Sequence, residues 1–112
     1  MVAEAQGVVR IARQVLLTIV VNAALPIPGV VRFAHSGDVW TRARLSGREV
    51  PRDGVSLTIK DHTVSADLYL VIESGANIVE TGTAVQEEVA AAIEHMVGMR
   101  VREVNIYIQD VE

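Results

Sequence analysis

The strongest constraint on the fold is the segment Thr63–Glu73, in which apolar and more polar side chains alternate without interruption. The apolar positions are Val64, Ala66, Leu68, Leu70 and Ile72. A period of two is typical of a β-strand with one face packed and the other at least partly wet. A second run, Val55–Lys60, precedes it across Asp61 and His62 alone, and this spacing predicts a two-residue β-hairpin.

A helix with clear end signals follows this hairpin. Asn77 can accept a hydrogen bond from the first-turn amides, and Glu80 stands three residues later, as in a capping box. Gly98 can adopt the left-handed conformation that ends a helix. Between these signals, apolar residues recur at helical spacing at Ile78, Val85, Val89, Ile93 and Met96. The pattern predicts an amphipathic helix with one face in the core.

An earlier helix is predicted over Ala12–Leu25, before a Pro-x-Pro-Gly stop. Its apolar side chains go nearly all the way round, which is typical of a helix buried on more than one side. One interpretation is that part of this surface binds a second copy, with Val15, Leu16, Leu17, Ile19 and Val20 as candidate self-association residues. The other is a central helix covered by its own loops, and the residues leave both open.

Three more strands complete the predicted fold. Val30–Ala34 and Val39–Leu45 are joined by a turn, and Val101–Ile108 is a last strand with a bulge near Arg102-Glu103. The order is helix, four strands, helix, strand. We therefore predict an α+β fold with two helices packed on one face of a mainly antiparallel sheet of four to six strands. Residues 1–6 are expected to be a flexible N-terminus, and residues 7–112 a single domain.

Charge is distributed unevenly along the 112 residues, which carry a net charge of −4. Residues 1–31 carry +1, residues 32–52 carry +3 and residues 53–112 carry −8. This net negative charge argues against general coating of nucleic acid, because such binding depends on neutralising phosphates. A basic middle and an acidic second half can pair within one chain or between copies. The chain has no cysteine, which excludes disulfides, thiol nucleophiles and sulfur-ligated zinc.

Residues 15–31 carry no charge, as is typical of a membrane segment. The stretch is shorter than the roughly 20 residues that a spanning helix needs, and Pro26 and Pro28 interrupt it. A signal peptide is the alternative, with Arg10 and Arg13 as its basic start. The short apolar run and the polar, acidic lead before it favour a cytoplasmic protein without direct membrane insertion.

No pattern in the sequence predicts catalysis. His35, His62 and His95 are not spaced for shared metal binding, and no glycine-rich phosphate loop occurs. We therefore expect no enzyme activity, no metal and no cofactor.

A candidate partner-binding site lies on one face of the predicted strand Val39–Leu45, which carries Trp40, Arg42 and Arg44. Such a face can stack bases or bind an acidic protein. Alternatively, the arginines protect a sheet edge while their stems cover the indole. The acidic second half of the chain favours a protein over nucleic acid as partner.

The second helix and last strand carry a recognisable pattern: Gly75-x-Asn77-Ile78, Gln86, Val89, Ile93-Glu94-x-Met96-x-Gly98-Met99-x-Val101 and Val104-Asn105-Ile106-x-Ile108. This pattern resembles the bacterial alkaline shock protein family, a cell-envelope-stress family common in Gram-positive bacteria. The resemblance covers about residues 7–109.

The resemblance implies a small cytoplasmic α+β domain that acts in envelope homeostasis, in some members through a membrane-anchored partner. It implies no active site. It identifies Gly29, Asn77 and Gly98 as determinants of the fold, in agreement with the capping box of Asn77 and Glu80. The leading hypothesis is a non-enzymatic scaffold or adaptor, a homo-oligomer that self-associates through residues 15–21. The alternative is a small nucleic-acid-binding module that uses Trp40, Arg42 and Arg44.

Overall fold

The structure, a computed structural model, describes residues 7–35 and 50–112. Its elements are α1 (Arg13–Ala24), β1 (Val30–Phe33), β2 (Val55–Lys60), β3 (Thr63–Ile72), α2 (Ile78–Ala92) and β4 (Arg100–Val111), with a π-helical turn, Ile93–Val97, continuing α2. The predicted α+β fold is confirmed. The predicted strand Val39–Leu45 and the predicted flexible residues 1–6 lie outside the described residues.

The alternating segment forms β3, which pairs with every other described strand. On one edge, β2 pairs antiparallel with its first half and β1 pairs antiparallel with its second half. On the other edge, β4 runs parallel to it along its whole length. Since two of these three pairings are antiparallel, the predicted mainly antiparallel sheet is confirmed.

The hairpin between β2 and β3 has the predicted two-residue turn. Asp61 has a φ of 50° and His62 a φ of 61°, so both central residues are left-handed. This is the turn whose twist matches that of the flanking strands. It fixes the register, with Lys60 opposite Thr63 and Val55 opposite Leu68.

The core lies between one face of the sheet and the two helices. The alternating apolar side chains of β3 are all fully buried there. The buried stripe of the second helix consists of residues spaced four apart: Thr81, Val85, Val89 and Ile93. Ile78 and Met96 were expected on this stripe, but they stand at the two ends of the helical run and are exposed instead.

The last strand is longer than predicted and its pairing with β3 is interrupted twice. Register shifts in that pairing place bulges at Arg102 and at Gln109. The first confirms the predicted bulge, whereas the second lies beyond the predicted end of the strand. Because β3 and β4 are parallel neighbours, the chain has to cross over between them, and α2 makes this crossover.

The second face of the sheet is more polar. Tyr69 and Tyr107 stack with ring centroids 4.9 Å apart, and the Asn105 side-chain amide donates to Asp67 at 2.9 Å. Buried Ala34 and Val50 pack with the tyrosines.

Candidate interaction surfaces

The five candidate self-association residues of α1 separate into two groups. Leu16 and Val20 are fully buried within the chain and Leu17 is 9% exposed, whereas Val15 is 50% exposed and Ile19 is partly buried. Leu17 and Val20 belong to the core cluster that also contains the buried side chains of β3 and α2. The part of this set that can meet a second copy without rearrangement is therefore Val15 with Ile19.

The candidate partner-binding residues Trp40, Arg42 and Arg44 lie in residues 36–49, outside the described residues. Their role stays a prediction. Ala34 and Val50, which flank this segment, are both buried against the second face of the sheet.

Gly29 lies where the turn before β1 passes close to α2. Its φ is +98°, and an added Cβ would stand 2.7 Å from the Thr81 hydroxyl oxygen and 3.2 Å from the Ala76 Cβ. The position therefore needs glycine both for its backbone conformation and for space.

The ends of the second helix have defined caps. The Asn77 side chain accepts a hydrogen bond from the Glu80 backbone amide at 3.0 Å. Gly98 has a φ of 77° and its amide donates to the Glu94 carbonyl, which ends the helical run. Met99, directly after it, packs against the core. These contacts set where β4 begins and therefore its register on β3.

A groove of about 700 Å³ opens at the end of the molecule where α1 begins and α2 ends. We call it the end groove; its lining includes Val9, Ile11, Leu16, Ile59, Val97 and Met99, with Arg10, Asp61 and His62. Val9 is 90% exposed and Ile59 45% exposed, and nearby in sequence Met96 is 71% exposed. Apolar side chains gathered at a concave surface are typical of a binding site.

A smaller groove of about 230 Å³ lies between α2 and the outer side of β4. We call it the edge groove; it is lined by Ile78, Val79, Gly82, Thr83, Gln86, Ile106 and Ile108. The Gln86 side-chain amide donates to the Val104 carbonyl of β4 at 2.9 Å. Sequence reasoning missed both grooves, because each combines residues from elements far apart in the chain.

Within residues 7–35 and 50–112, no three metal-ligating side chains stand close enough to hold an ion together. Among the same residues, every helix is too short or too polar to cross a membrane.

Relatives of known sequence match almost the whole chain. It is 29% identical over 107 residues to an uncharacterised protein of Streptococcus pyogenes, covering 95% of this chain and 88% of that protein. It is 26% identical to the uncharacterised proteins YloU and YqhY of Bacillus subtilis, covering 88% and 78% of their lengths and 94% and 95% of this chain.

Solved structures of MamM CTD variants share the fold. Two of them, one a copper form, superpose with a TM-score of 0.55 over 90% of this chain and 100% of theirs, at 17% and 16% identity. The family model of alkaline shock protein 23, described by a cell envelope-related function, matches residues 1–112. The chain therefore belongs to the family of alkaline shock protein 23, a family with a cell envelope-related function.

Proposed function

We propose that this protein is a non-enzymatic scaffold or adaptor in cell-envelope stress and homeostasis, which acts by self-association and by binding a protein partner. The cell envelope-related function of its family supports the setting. The observation that carries the adaptor role is the end groove, with its exposed apolar side chains.

The end groove fits an amphipathic segment of a partner protein. Val9, Ile59 and Met99 offer apolar surface, while Arg10 and Asp61 offer one charge of each sign beside it. Such a surface can bury apolar side chains of the partner at its centre and pair charged ones at its rim. A membrane-anchored partner bound here would hold a cytoplasmic adaptor at the envelope.

Complementation in the bacterium that encodes the chain tests this function. In a strain lacking the gene, the wild-type chain is expected to restore survival under alkaline or cell-wall stress. Ile59→Asp places a charge in the end groove, and we expect fewer survivors than with the wild type, because loss of one central contact weakens an interface by about tenfold or more.

Thr58→Asp is the matched control, since this exposed neighbour on β2 points to the other face of the sheet. It should restore survival like the wild type, with both variants accumulating to wild-type levels. Full restoration by Ile59→Asp, or equal failure of both variants at normal levels, would contradict the proposed role of the end groove.

A further inference from the structure

Within the described residues, β4 pairs with β3 alone, and its other side is a sheet edge. The direction of its backbone groups follows from β3. The Tyr69 amide donates to the Gly54 carbonyl, and the Tyr69 carbonyl accepts from the Ala34 amide, both on the side of β1 and β2. Backbone groups of successive strand residues point to opposite sides, so the amide and carbonyl of Leu68 point toward β4. In a parallel pair, Leu68 bonds to the residues on either side of its partner Ile106. The amide and carbonyl of Ile106 therefore point outward, away from the sheet.

The same alternation defines the whole outer edge. Val104 and Ile108 point outward with Ile106, and the Val104 carbonyl already accepts from Gln86 on that side. Each bulge adds one residue to β4, so the amides and carbonyls of Val101 and Val111 also point outward. In the pairing with β3, these two residues are the partners of Val64 and Ile72. The outward residues of β4 are thus placed symmetrically about Ile106.

The charges of β4 are arranged with opposite signs about the same centre. Arg100 and Arg102 lie at its start, and Asp110 and Glu112 lie at or just past its end. In an antiparallel pair of two β4 strands centred on Ile106, Arg102 stands opposite Asp110 and Arg100 opposite Glu112. Both carboxylates also have partners in their own chain, since Asp110 accepts from the Val111 amide and Glu112 from Arg32, each at 2.8 Å. Between these ends, Val104 stands opposite Ile108 and Ile106 opposite itself. Opposite charges in directly facing positions stabilise a strand pair.

Neighbouring registers keep only part of this match. Centring the pair one residue earlier leaves Arg100 opposite Asp110 but places Arg102 opposite Ile108. Centring it one residue later leaves Arg102 opposite Glu112 but places Val104 opposite Asp110. Of these three registers, the one centred on Ile106 is therefore the one in which both arginines face a carboxylate, and charge complementarity favours it and the antiparallel direction.

We propose that β4 is the surface through which two copies of this chain associate, as antiparallel edge strands centred on Ile106. A two-fold axis perpendicular to the sheet keeps both helical layers on one face and brings the two edge grooves together. The grooves then share one apolar interior, which covers Ile78 and Val79, now 45% and 77% exposed. The Val104 carbonyl has a second lone pair, so it can accept from the partner strand while Gln86 stays bound.

Because the natural chain has no cysteine, a single introduced cysteine can show which residues of the two β4 strands face each other. In the proposed pair, the two copies of residue 106 face each other at a Cα separation of about 5.5 Å, within the range of a disulfide. The purified Ile106→Cys variant should therefore form a covalent dimer under mild oxidation. Ile108→Cys is the matched control, since its two copies would lie roughly 13 Å apart along the strands.

Absence of a covalent dimer with Ile106→Cys, or equal yields from both variants, would overturn the proposal. A charge reversal gives an independent test. Arg102→Glu should raise the dimer dissociation constant about tenfold, because two like-charge pairs then face each other. Adding Asp110→Arg to this variant should restore the dimer dissociation constant to within about threefold of the wild-type value. If the folded double variant fails to recover dimerisation, the proposed register is also wrong.

This interface rests on the self-association that the proposed function includes, and it identifies β4 as the part of the chain that mediates it. Cross-linking of purified protein and survival of cells with Ile59→Asp are separate measurements. Either proposal can therefore fail while the other stands.

Discussion

Gly54→Ala is expected to be among the most destabilising single-methyl additions in this chain. Gly54 has a φ of +76°, and an added Cβ would stand 2.5 Å from the Ala34 carbonyl oxygen and 3.0 Å from the Phe33 Cβ. The obstructing oxygen belongs to the backbone, so no side-chain rotation relieves the overlap. The Gly54 carbonyl accepts from Tyr69 and the Ala34 amide donates to Tyr69, at 2.9 and 2.8 Å, so a backbone shift weakens both bonds.

We expect Gly54→Ala to lower the free energy of unfolding by about 3–5 kcal/mol, combining backbone strain of about 1–2 kcal/mol with the overlap and the weakened bonds. Urea denaturation followed by circular dichroism measures this loss.

Gly98→Ala is the matched control for Gly54→Ala. Its φ of +77° is nearly the same, yet its added Cβ would meet nothing within 4 Å. The control therefore isolates the cost of the left-handed backbone, about 1–2 kcal/mol. Equal losses of unfolding free energy in the two variants would show that Gly54 and the Ala34 carbonyl oxygen lie farther apart than the structure places them.

Val20→Asp is expected to unfold the protein at room temperature. Val20 is fully buried, in the apolar cluster that forms the core. Placing an unpaired charged group in such a site costs more than about 4 kcal/mol, a large part of the stability of a domain of this size. The thermal transition seen by circular dichroism should be lost or shifted far downward.

Val15→Asp, on the same helix, should keep the fold. Val15 is 50% exposed and lies in the first turn of α1, where no acidic residue is present. A carboxylate there interacts favourably with the helix dipole, so the stability should change by less than about 1 kcal/mol. A stable, folded Val20→Asp variant would contradict the burial of that helix face.

Local patterns predicted the hairpin and the second helix, because their signals are carried by neighbouring residues. The two-residue separation of Val55–Lys60 from Thr63–Glu73 allows one tight turn, and the structure has it at Asp61-His62. Asn77 and Gly98 bound the second helix through their own cap geometry. The bulge near Arg102 was visible as a slip in the apolar alternation.

Features that depend on distant neighbours could not be predicted in this way. Periodicity could not separate buried Leu16 from exposed Val15, since α1 is apolar nearly all round and only its packing on the rest of the chain decides between them. Nor could the alternation in β4 identify its partner strand or the direction of that pairing. The charge symmetry about Ile106 was present in the sequence, but it gained meaning only when the fold placed β4 at an edge.

Self-association through β4 is tested by the mass of the protein in solution. Light scattering should be measured across a hundredfold concentration range on the wild type and on Ile106→Lys, with circular dichroism to verify that both are folded. We predict that the wild type reaches about twice its chain mass of 12.1 kDa at the higher concentrations, while Ile106→Lys stays at 12.1 kDa throughout. A wild type that remains at 12.1 kDa, or a folded variant that associates as the wild type does, would contradict it.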